Sequence, residues 1–132
     1  MIKENDIVKY VCNNFNKFFK DLKFVRTEFS LRNFRVDIFA TYKDENTNTW
    51  PSVFFEVKHQ SYMRDLLFEL NKQIKFRDWY NSNPNCLCHI CVLSDKFEDS
   101  MLDFFKDNNI RLFKYSYDND DLNTLKIEEV IL

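Results

Sequence analysis

The segments FRVDIFA at residues 34–40 and VFFEVK at residues 53–58, separated by a polar turn, decide the fold of this chain. Both segments are apolar and rich in β-branched and aromatic residues, which predicts the two strands of a β-hairpin. Asp37 interrupts the first segment, and Glu56 and Lys58 stand two positions apart in the second, on one face of the strand. Charges inside apolar strands are tolerated only when they are paired or bind an ion. The hairpin therefore predicts a site at which two carboxylates and an ammonium meet.

The composition indicates one domain and excludes several kinds of phosphate site. A chain of 132 residues is long enough to bury a core, and we expect a single domain over residues 1–132. Fifteen phenylalanines predict that this core is aromatic. The chain has no glycine, whereas glycine-rich phosphate loops and dinucleotide fingerprints need backbone without a Cβ close to the phosphate. Those motifs are excluded.

The charge is unevenly distributed along the chain. The formal net charge is -2, which gives no overall basic field to attract nucleic acid. Residues 17–35, however, carry six lysines and arginines against two acids, whereas residues 95–121 carry four against eight. The basic segment flanks the hairpin and includes Arg32 and Arg35, which we predict to contact nucleic-acid phosphates.

The sequence predicts an intracellular, cytoplasmic protein without a membrane partner. The start of the chain is polar and does not resemble a signal peptide. The longest apolar run, at residues 87–93, is too short to cross a bilayer. The four cysteines lack the spacing of a disulfide framework, which favours reduced thiols.

Hydrophobic periodicity predicts alternating helices and strands along the chain. Strands are predicted at 24–31, 34–40, 53–58, 86–93, 110–117 and 125–132, and helices at 5–22, 61–80 and 97–108. The order is α-β-β-β-α-β, followed by a C-terminal helix–strand extension. It predicts an α/β fold whose mixed sheet is antiparallel around the hairpin, parallel at the helical crossovers and flanked by helices. The strand at 86–93 is apolar throughout and is predicted to be central.

The two hairpin carboxylates have the chemistry of a divalent-cation site. Asp37 and Glu56 offer hard oxygen ligands, and Mg²⁺ or Mn²⁺ takes one or two carboxylates together with waters and substrate phosphate oxygens. The backbone carbonyl of Val57 is a further candidate ligand. Lys58, on the same face as Glu56, is placed to orient a water or to offset charge that builds on phosphorus.

Asp37, the intervening hairpin and the run Glu56-Val57-Lys58 resemble the signature of the PD-(D/E)xK nuclease superfamily. The likeness is greatest to its small Holliday-junction-resolvase-like and VRR-NUC-like members. The superfamily has a restriction-endonuclease-like α-β-β-β-α-β core, which corresponds to about residues 5–93 here. The resemblance implies that Asp37 and Glu56 bind the metal and that Lys58 is the catalytic lysine.

The resemblance also implies two supporting residues. An acidic residue upstream often completes such sites, and Glu28 is the candidate here. The helix after the lysine often carries a polar residue that reaches the site, and Gln73 occupies that place. The chain departs from the family pattern in one respect, because Val36 stands where the name-giving proline would precede Asp37.

These observations predict a metal-dependent endonuclease that hydrolyses phosphodiester bonds in DNA. Lys72, Lys75 and Arg77, on the helix after the lysine, are predicted to contact phosphates. A homodimer is expected because cutting two strands needs two sites, and the apolar surface of residues 110–132 is a candidate interface. Selectivity for branched DNA and a role in a restriction or mobile-element system stay open, and nothing separates DNA from RNA. The alternative is a non-catalytic protein that binds nucleic acid or a partner and retains the nuclease fold.

Overall fold

The computed structural model describes residues 1–31, 33–59, 63–83 and 87–132. Its elements are α1 (Glu4–Asn13), α2 (Phe15–Phe18), β1 (Lys23–Leu31), β2 (Phe34–Thr41), β3 (Ser52–Lys58), α3 (Met63–Asn81), β4 (Cys88–Ser94), α4 (Leu102–Asp107), β5 (Arg111–Asp118) and β6 (Asp121–Val130). A short 3-10 turn, Asp99–Met101, leads into α4. The predicted start of the helix that corresponds to α3, at residue 61, lies outside the described residues. So does the predicted start of the strand that corresponds to β4, at residue 86.

The six described strands form one mixed sheet, in which they lie side by side in chain order. β1, β2 and β3 form an antiparallel meander, β3, β4 and β5 are parallel, and β6 is antiparallel to β5. α3 connects β3 to β4 and α4 connects β4 to β5, because parallel neighbours need a crossover connection. The predicted mixed α/β architecture and its C-terminal helix–strand extension are confirmed.

Helices cover both faces of the sheet with an apolar, aromatic core. On the α1 and α2 face, the Phe19 ring centroid lies 4.9 Å from that of Phe55 and 5.2 Å from that of Phe113. The core on the α3 and α4 face consists of Leu66, Leu70, Ile90, Val92, Phe105, Ile110 and Leu112. No helix within the described ranges is long and apolar enough to cross a membrane.

β4 is the central strand, as its apolar sequence predicts. It lies between β3 and β5, and its residues from Ile90 to Ser94 are all buried. A strand paired on both sides and covered on both faces has no position at which a polar side chain is readily solvated. The site lies on β2 and β3, beside β4, where β3 ends and the first half of β2 lies next to it.

The first helix is shorter than its periodicity predicts. Apolar residues continue at helical spacing to residue 22, but α1 ends at Asn13 and only the single turn α2 follows. The break lies at Asn14, whose φ of -126° is not helical and whose Nδ2 donates to the Tyr10 carbonyl at 2.9 Å. An asparagine side chain that satisfies an end-of-helix carbonyl competes with further helix.

The buried face of α3 also differs from the prediction. The apolar spacing along this helix predicts Met63, Leu67, Leu70 and Ile74 as its buried residues. The structure buries Leu66, Leu70, Gln73 and Arg77, while Leu67 and Ile74 are only partly buried and the Met63 side chain lies outside the description. Two polar residues thus occupy the buried face, because each has a polar partner in the interior. A pattern based on apolar residues alone therefore predicts a different buried face for α3.

Candidate active site

Asp37, Glu56 and Lys58 meet where β2 and β3 stop pairing. The recorded pairing of these strands runs from Thr41–Ser52 to Ile38–Phe55, so Asp37 and Glu56 are the next residues on each strand. The Val57 N–H donates to Asp37 Oδ2 at 2.8 Å. The carboxylate of Asp37 is therefore fixed by the backbone of β3.

Lys58 reaches the same point from the end of β3. Its Nζ lies 3.8 Å from Glu56 Oε1, and its side chain is 18 % exposed. The Tyr115 hydroxyl on β5 donates to the Lys58 carbonyl at 3.0 Å and lies 2.7 Å from His59 Nδ1. Because a hydroxyl has one proton, this geometry has the His59 ring donate to Tyr115. The network holds the last residue of β3 in place.

Gln73 comes to the site from α3. Its side chain is fully buried, and Nε2 donates to Glu56 Oε2 at 2.9 Å. One oxygen of Glu56 thus faces Gln73 and the other faces Lys58. Within the described part of the chain, Gln73 Oε1 is buried without a hydrogen-bond partner. The structure therefore brings Gln73 to the carboxylate for which the sequence proposed it.

The charge of Asp37 destabilises the ionised form of Glu56. The two carboxyl groups lie within hydrogen-bonding reach of each other, and burial, followed by the charge of Asp37, raises the pKa of Glu56 to about 9. Burial also raises the pKa of Asp37, although the Val57 N–H and the Lys58 charge oppose the change. Like charges that share a buried position favour one retained proton. A shared proton of this kind is typical of sites that exchange it for a cation or use it in catalysis.

Glu4 is a fourth charged residue of the site that the sequence did not indicate. It lies in the first turn of α1, and its Oε2 accepts from the His59 N–H at 3.3 Å. Burial raises its pKa, the Lys58 charge lowers it and the Asp37 charge raises it, which places Glu4 in the electrostatic field of the site. No spacing rule links residue 4 to residues 37, 58 and 59, because these interactions exist only once α1 crosses the sheet.

Glu28, the predicted upstream acid, lies at the rim instead. Its side chain is exposed, and its backbone φ of 49° marks an irregular residue within β1. It lines a small side pocket together with Glu4 and Asp37. Glu4 differs from Glu28 in that it is partly buried and interacts electrostatically with both Asp37 and Lys58.

The donor set fits a divalent cation of the Mg²⁺ type. Among the described residues, no group of three or more His, Cys, Asp or Glu side chains forms a complete metal cage. Mg²⁺ does not require such a cage, because it retains waters and binds through one or two carboxylates plus substrate phosphates. Asp37 and Glu56 supply those two carboxylates. The Val57 carbonyl stays a predicted ligand. The hydrogen bond from Val57 to Asp37 involves its N–H and says nothing about its carbonyl oxygen.

The site opens into a polar cleft of about 640 Å³. Glu4 from α1, Arg35 from β2, and Glu69 and Lys72 from α3 contribute to its wall. The Arg35 charge reaches Asp37 and opposes the rise of its pKa. Arg35 and Lys72, both predicted to contact phosphates, thus lie at the cleft.

The other predicted phosphate contacts have different outcomes. Lys75 is exposed on α3 next to the cleft. Arg77 does not lie where a phosphate contact would require it. It is only 8 % exposed, and its Nη1 donates to the Asn108 carbonyl at 2.5 Å, at the end of α4. Its Nε donates to Asp78 at 3.1 Å. Arg77 therefore joins α3 to α4 and does not face the cleft, and Arg32 lies outside the described residues.

Arg77→Ala is expected to lower the free energy of unfolding by about 1.5–3 kcal/mol, because it removes charged hydrogen bonds from a buried position. Lys75→Ala, an exposed change on the same helix, is expected to stay within about 0.5 kcal/mol. Urea unfolding followed by circular dichroism measures both. Equal stability of the two variants would contradict the structural role of Arg77.

The mixed α/β fold is similar to the nuclease-like folds of two solved proteins. No family model and no curated protein matches the chain. EndoMS, solved in complex with double-stranded DNA, superposes with a TM-score of 0.63 at 11% identity, over 83% of this chain and 43% of that one. An XisH family protein from Nostoc punctiforme PCC 73102 superposes with a TM-score of 0.50 at 13% identity, over 97% of this chain and 98% of that one. This chain thus spans less than half of EndoMS, and likeness at such identities shows the fold.

Proposed function

We propose that this protein is a divalent-metal-dependent nuclease that hydrolyses phosphodiester bonds in DNA. The observation that carries the proposal is the pair of buried carboxylates, Asp37 and Glu56, with Lys58 Nζ 3.8 Å from Glu56 at the edge of an open cleft. Burying two like charges side by side is unfavourable for folding. Carboxyl groups with perturbed pKa values that face a cleft are typical of functional sites.

Each residue has a definite part in the proposed hydrolysis. Asp37 and Glu56 would hold Mg²⁺ or Mn²⁺, and the ion would supply a Lewis acid and lower the pKa of a bound water. Gln73 and the Val57 N–H keep the two carboxylates in fixed orientations. Lys58 presents an ammonium where negative charge develops on the phosphoryl group, and a prearranged donor there lowers the barrier.

Two observations support DNA as the substrate class. Arg35 and Lys72 place positive charge on the walls of the cleft, where phosphates would pass. EndoMS, which shares the fold, was solved with double-stranded DNA. The likeness to junction resolvases stays a prediction, as does the homodimer.

Cleavage of end-labelled substrates tests the proposal. The panel is blunt duplex, single-stranded, flapped and four-way-junction DNA, with single-stranded RNA, each incubated with Mg²⁺, Mn²⁺ or EDTA. We expect cleavage of at least one DNA substrate with either metal and none with EDTA. Absence of cleavage across the panel, in protein that still binds DNA, would contradict the nuclease and favour a non-catalytic binding protein with this fold.

A further inference from the structure

A second groove runs from the cleft along the outer side of α3. We call it the aromatic groove and define it by Phe68, Lys72, Lys75, Phe76 and Trp79 of α3. Asn33 and Phe34 form its other wall, and its volume is about 550 Å³. Asn33, Phe34 and Lys72 also line the cleft. The groove and the cleft are therefore one continuous surface.

The α3 residues of the groove form a single helical stripe. Each lies three or four positions from another member of the set, the spacing that brings side chains onto one face of a helix. Phe68 and Trp79, at the two ends of the stripe, are each 64% exposed. They are eleven positions apart, which corresponds to roughly 16 Å along the helix axis. A contiguous exposed apolar patch that is rimmed by polar residues marks an interaction or ligand-binding site.

Phe76 forms the floor between these two exposed side chains. Its ring centroid lies 5.5 Å from that of Phe34 and 5.6 Å from that of Tyr80, with which it stacks. It is also 5.9 Å from the ring of Trp79. This packing fixes the floor of the groove in the folded protein, so that a flat ligand would meet preformed aromatic surfaces.

Two lysines are interleaved with these rings. Lys72 Nζ lies 4.4 Å from the Phe68 ring centroid and 4.0 Å from Glu69 Oε1, and Lys75 is exposed one turn further along. Glu69 lies on the cleft side, so the aromatic groove itself presents two ammonium groups. Aromatic faces alternating with cations are the means by which proteins bind single-stranded nucleic acid, with bases stacked on rings and phosphates near the cations.

We propose that the aromatic groove binds unpaired nucleotides of the strand that enters the cleft. This inference rests on the proposed function, because the cleft is where that strand would be cut. Paired bases inside a duplex cannot stack on Phe68 or Trp79, so the groove selects a single-stranded segment. At about 3.4 Å per stacked nucleotide, the stripe accommodates roughly five nucleotides. The preferred substrate then carries an overhang, a gap or a flap beside the scissile bond.

Fluorescence anisotropy in EDTA tests binding without any cleavage. The probes are a labelled ten-nucleotide oligothymidylate and a blunt duplex. Phe68→Ala is expected to weaken oligothymidylate binding by about five- to a hundredfold, the range for loss of base stacking. Phe68→Tyr, which keeps an aromatic face, is expected to restore it, and duplex binding is expected to change less than twofold in both variants.

Trp50→Ala is the matched control. Trp50 is 55% exposed and has Lys23 Nζ at 5.8 Å and Lys43 Nζ at 5.4 Å from its ring centroid, so its surroundings resemble those of the groove. It precedes β3, whereas Lys58 ends that strand, and the strand between them spans roughly 20 Å. We expect Trp50→Ala to leave oligothymidylate binding unchanged.

Several results would overturn the inference. One is that the unaltered protein does not bind oligothymidylate. Another is that Phe68→Ala and Trp50→Ala weaken oligothymidylate binding to the same extent. A third is that Phe68→Ala weakens duplex binding as much as oligothymidylate binding. A lower molar mass of Phe68→Ala in light scattering would also overturn it and assign the groove to a second copy of the chain. Because the binding assay contains no metal, its result does not depend on whether the protein cleaves DNA. If the protein cleaves DNA but Phe68→Ala does not weaken oligothymidylate binding, the inference about the groove is refuted and the proposed nuclease function is not.

Discussion

Lys58→Ala is expected to lower the rate of metal-dependent DNA cleavage by about 10²–10³-fold, the usual effect of removing one prearranged donor from a transition state. Lys58 Nζ is held 3.8 Å from Glu56 Oε1 and faces the cleft at the end of β3. Its truncation leaves the apolar core unchanged, so the fold is expected to survive. Asp37 and Glu56 also remain, so the variant is expected to retain Mn²⁺ binding.

Single-turnover cleavage of the preferred substrate measures this effect. Lys114→Ala is the control, because Lys114 is an exposed lysine on β5 whose removal is expected to leave the rate unchanged. Circular dichroism and thermal unfolding establish that each variant is folded. Wild-type cleavage by folded Lys58→Ala would refute the assignment of the catalytic lysine.

Glu56→Gln is expected to abolish cleavage and, at the same time, to stabilise the metal-free protein at pH 8. Burial and the Asp37 charge raise the pKa of Glu56 to about 9, above the value of 4.5 that it has when exposed. The folded state therefore binds more protons than the unfolded state between these values, and stability falls as the pH rises through this window. Glutamine keeps the shape and the Gln73 contact but carries no charge. We expect a gain of about 2 kcal/mol at pH 8 that disappears near pH 5.

Urea unfolding in EDTA from pH 5 to pH 9 measures the gain. Glu129→Gln is the control, because Glu129 forms an exposed ion pair with Arg111 at 2.9 Å and its pKa is lowered through that contact. Loss of such a surface pair is expected to be neutral or slightly destabilising at pH 8. A Glu56→Gln variant that is less stable than wild type at pH 8 would show that the carboxylate is a structural group.

The hairpin residues were predictable because antiparallel pairing leaves little freedom. Once 34–40 and 53–58 are recognised as adjacent strands, their register brings Asp37 and Glu56 to neighbouring positions, and the period of two places Lys58 beside Glu56. The apolar run of β4 likewise predicted its central place. These inferences depend on local patterns that tertiary packing rarely changes.

Glu4, Gln73 and Arg77 show where such patterns fail. Glu4 reaches the site only because α1 crosses the sheet, which no spacing in the sequence encodes. Gln73 and Arg77 can be buried on α3 because each donates a hydrogen bond to an acceptor in the interior. The acceptors are Glu56 for Gln73 and the Asn108 carbonyl for Arg77. Each polar residue on a buried face weakens the apolar periodicity, so the rotation of α3 was predicted wrongly at the helix that supports the site.

A Mn²⁺ titration followed by electron paramagnetic resonance, on wild type and on Asp37→Asn, tests the central claim most directly. Asp37→Asn keeps the size of the side chain and removes one of the two proposed carboxylate ligands. The prediction is one bound ion per chain in wild type and at least a tenfold weaker affinity in the variant. Equal affinity in the two proteins, or no binding by wild type, would contradict a metal-dependent site at Asp37 and Glu56.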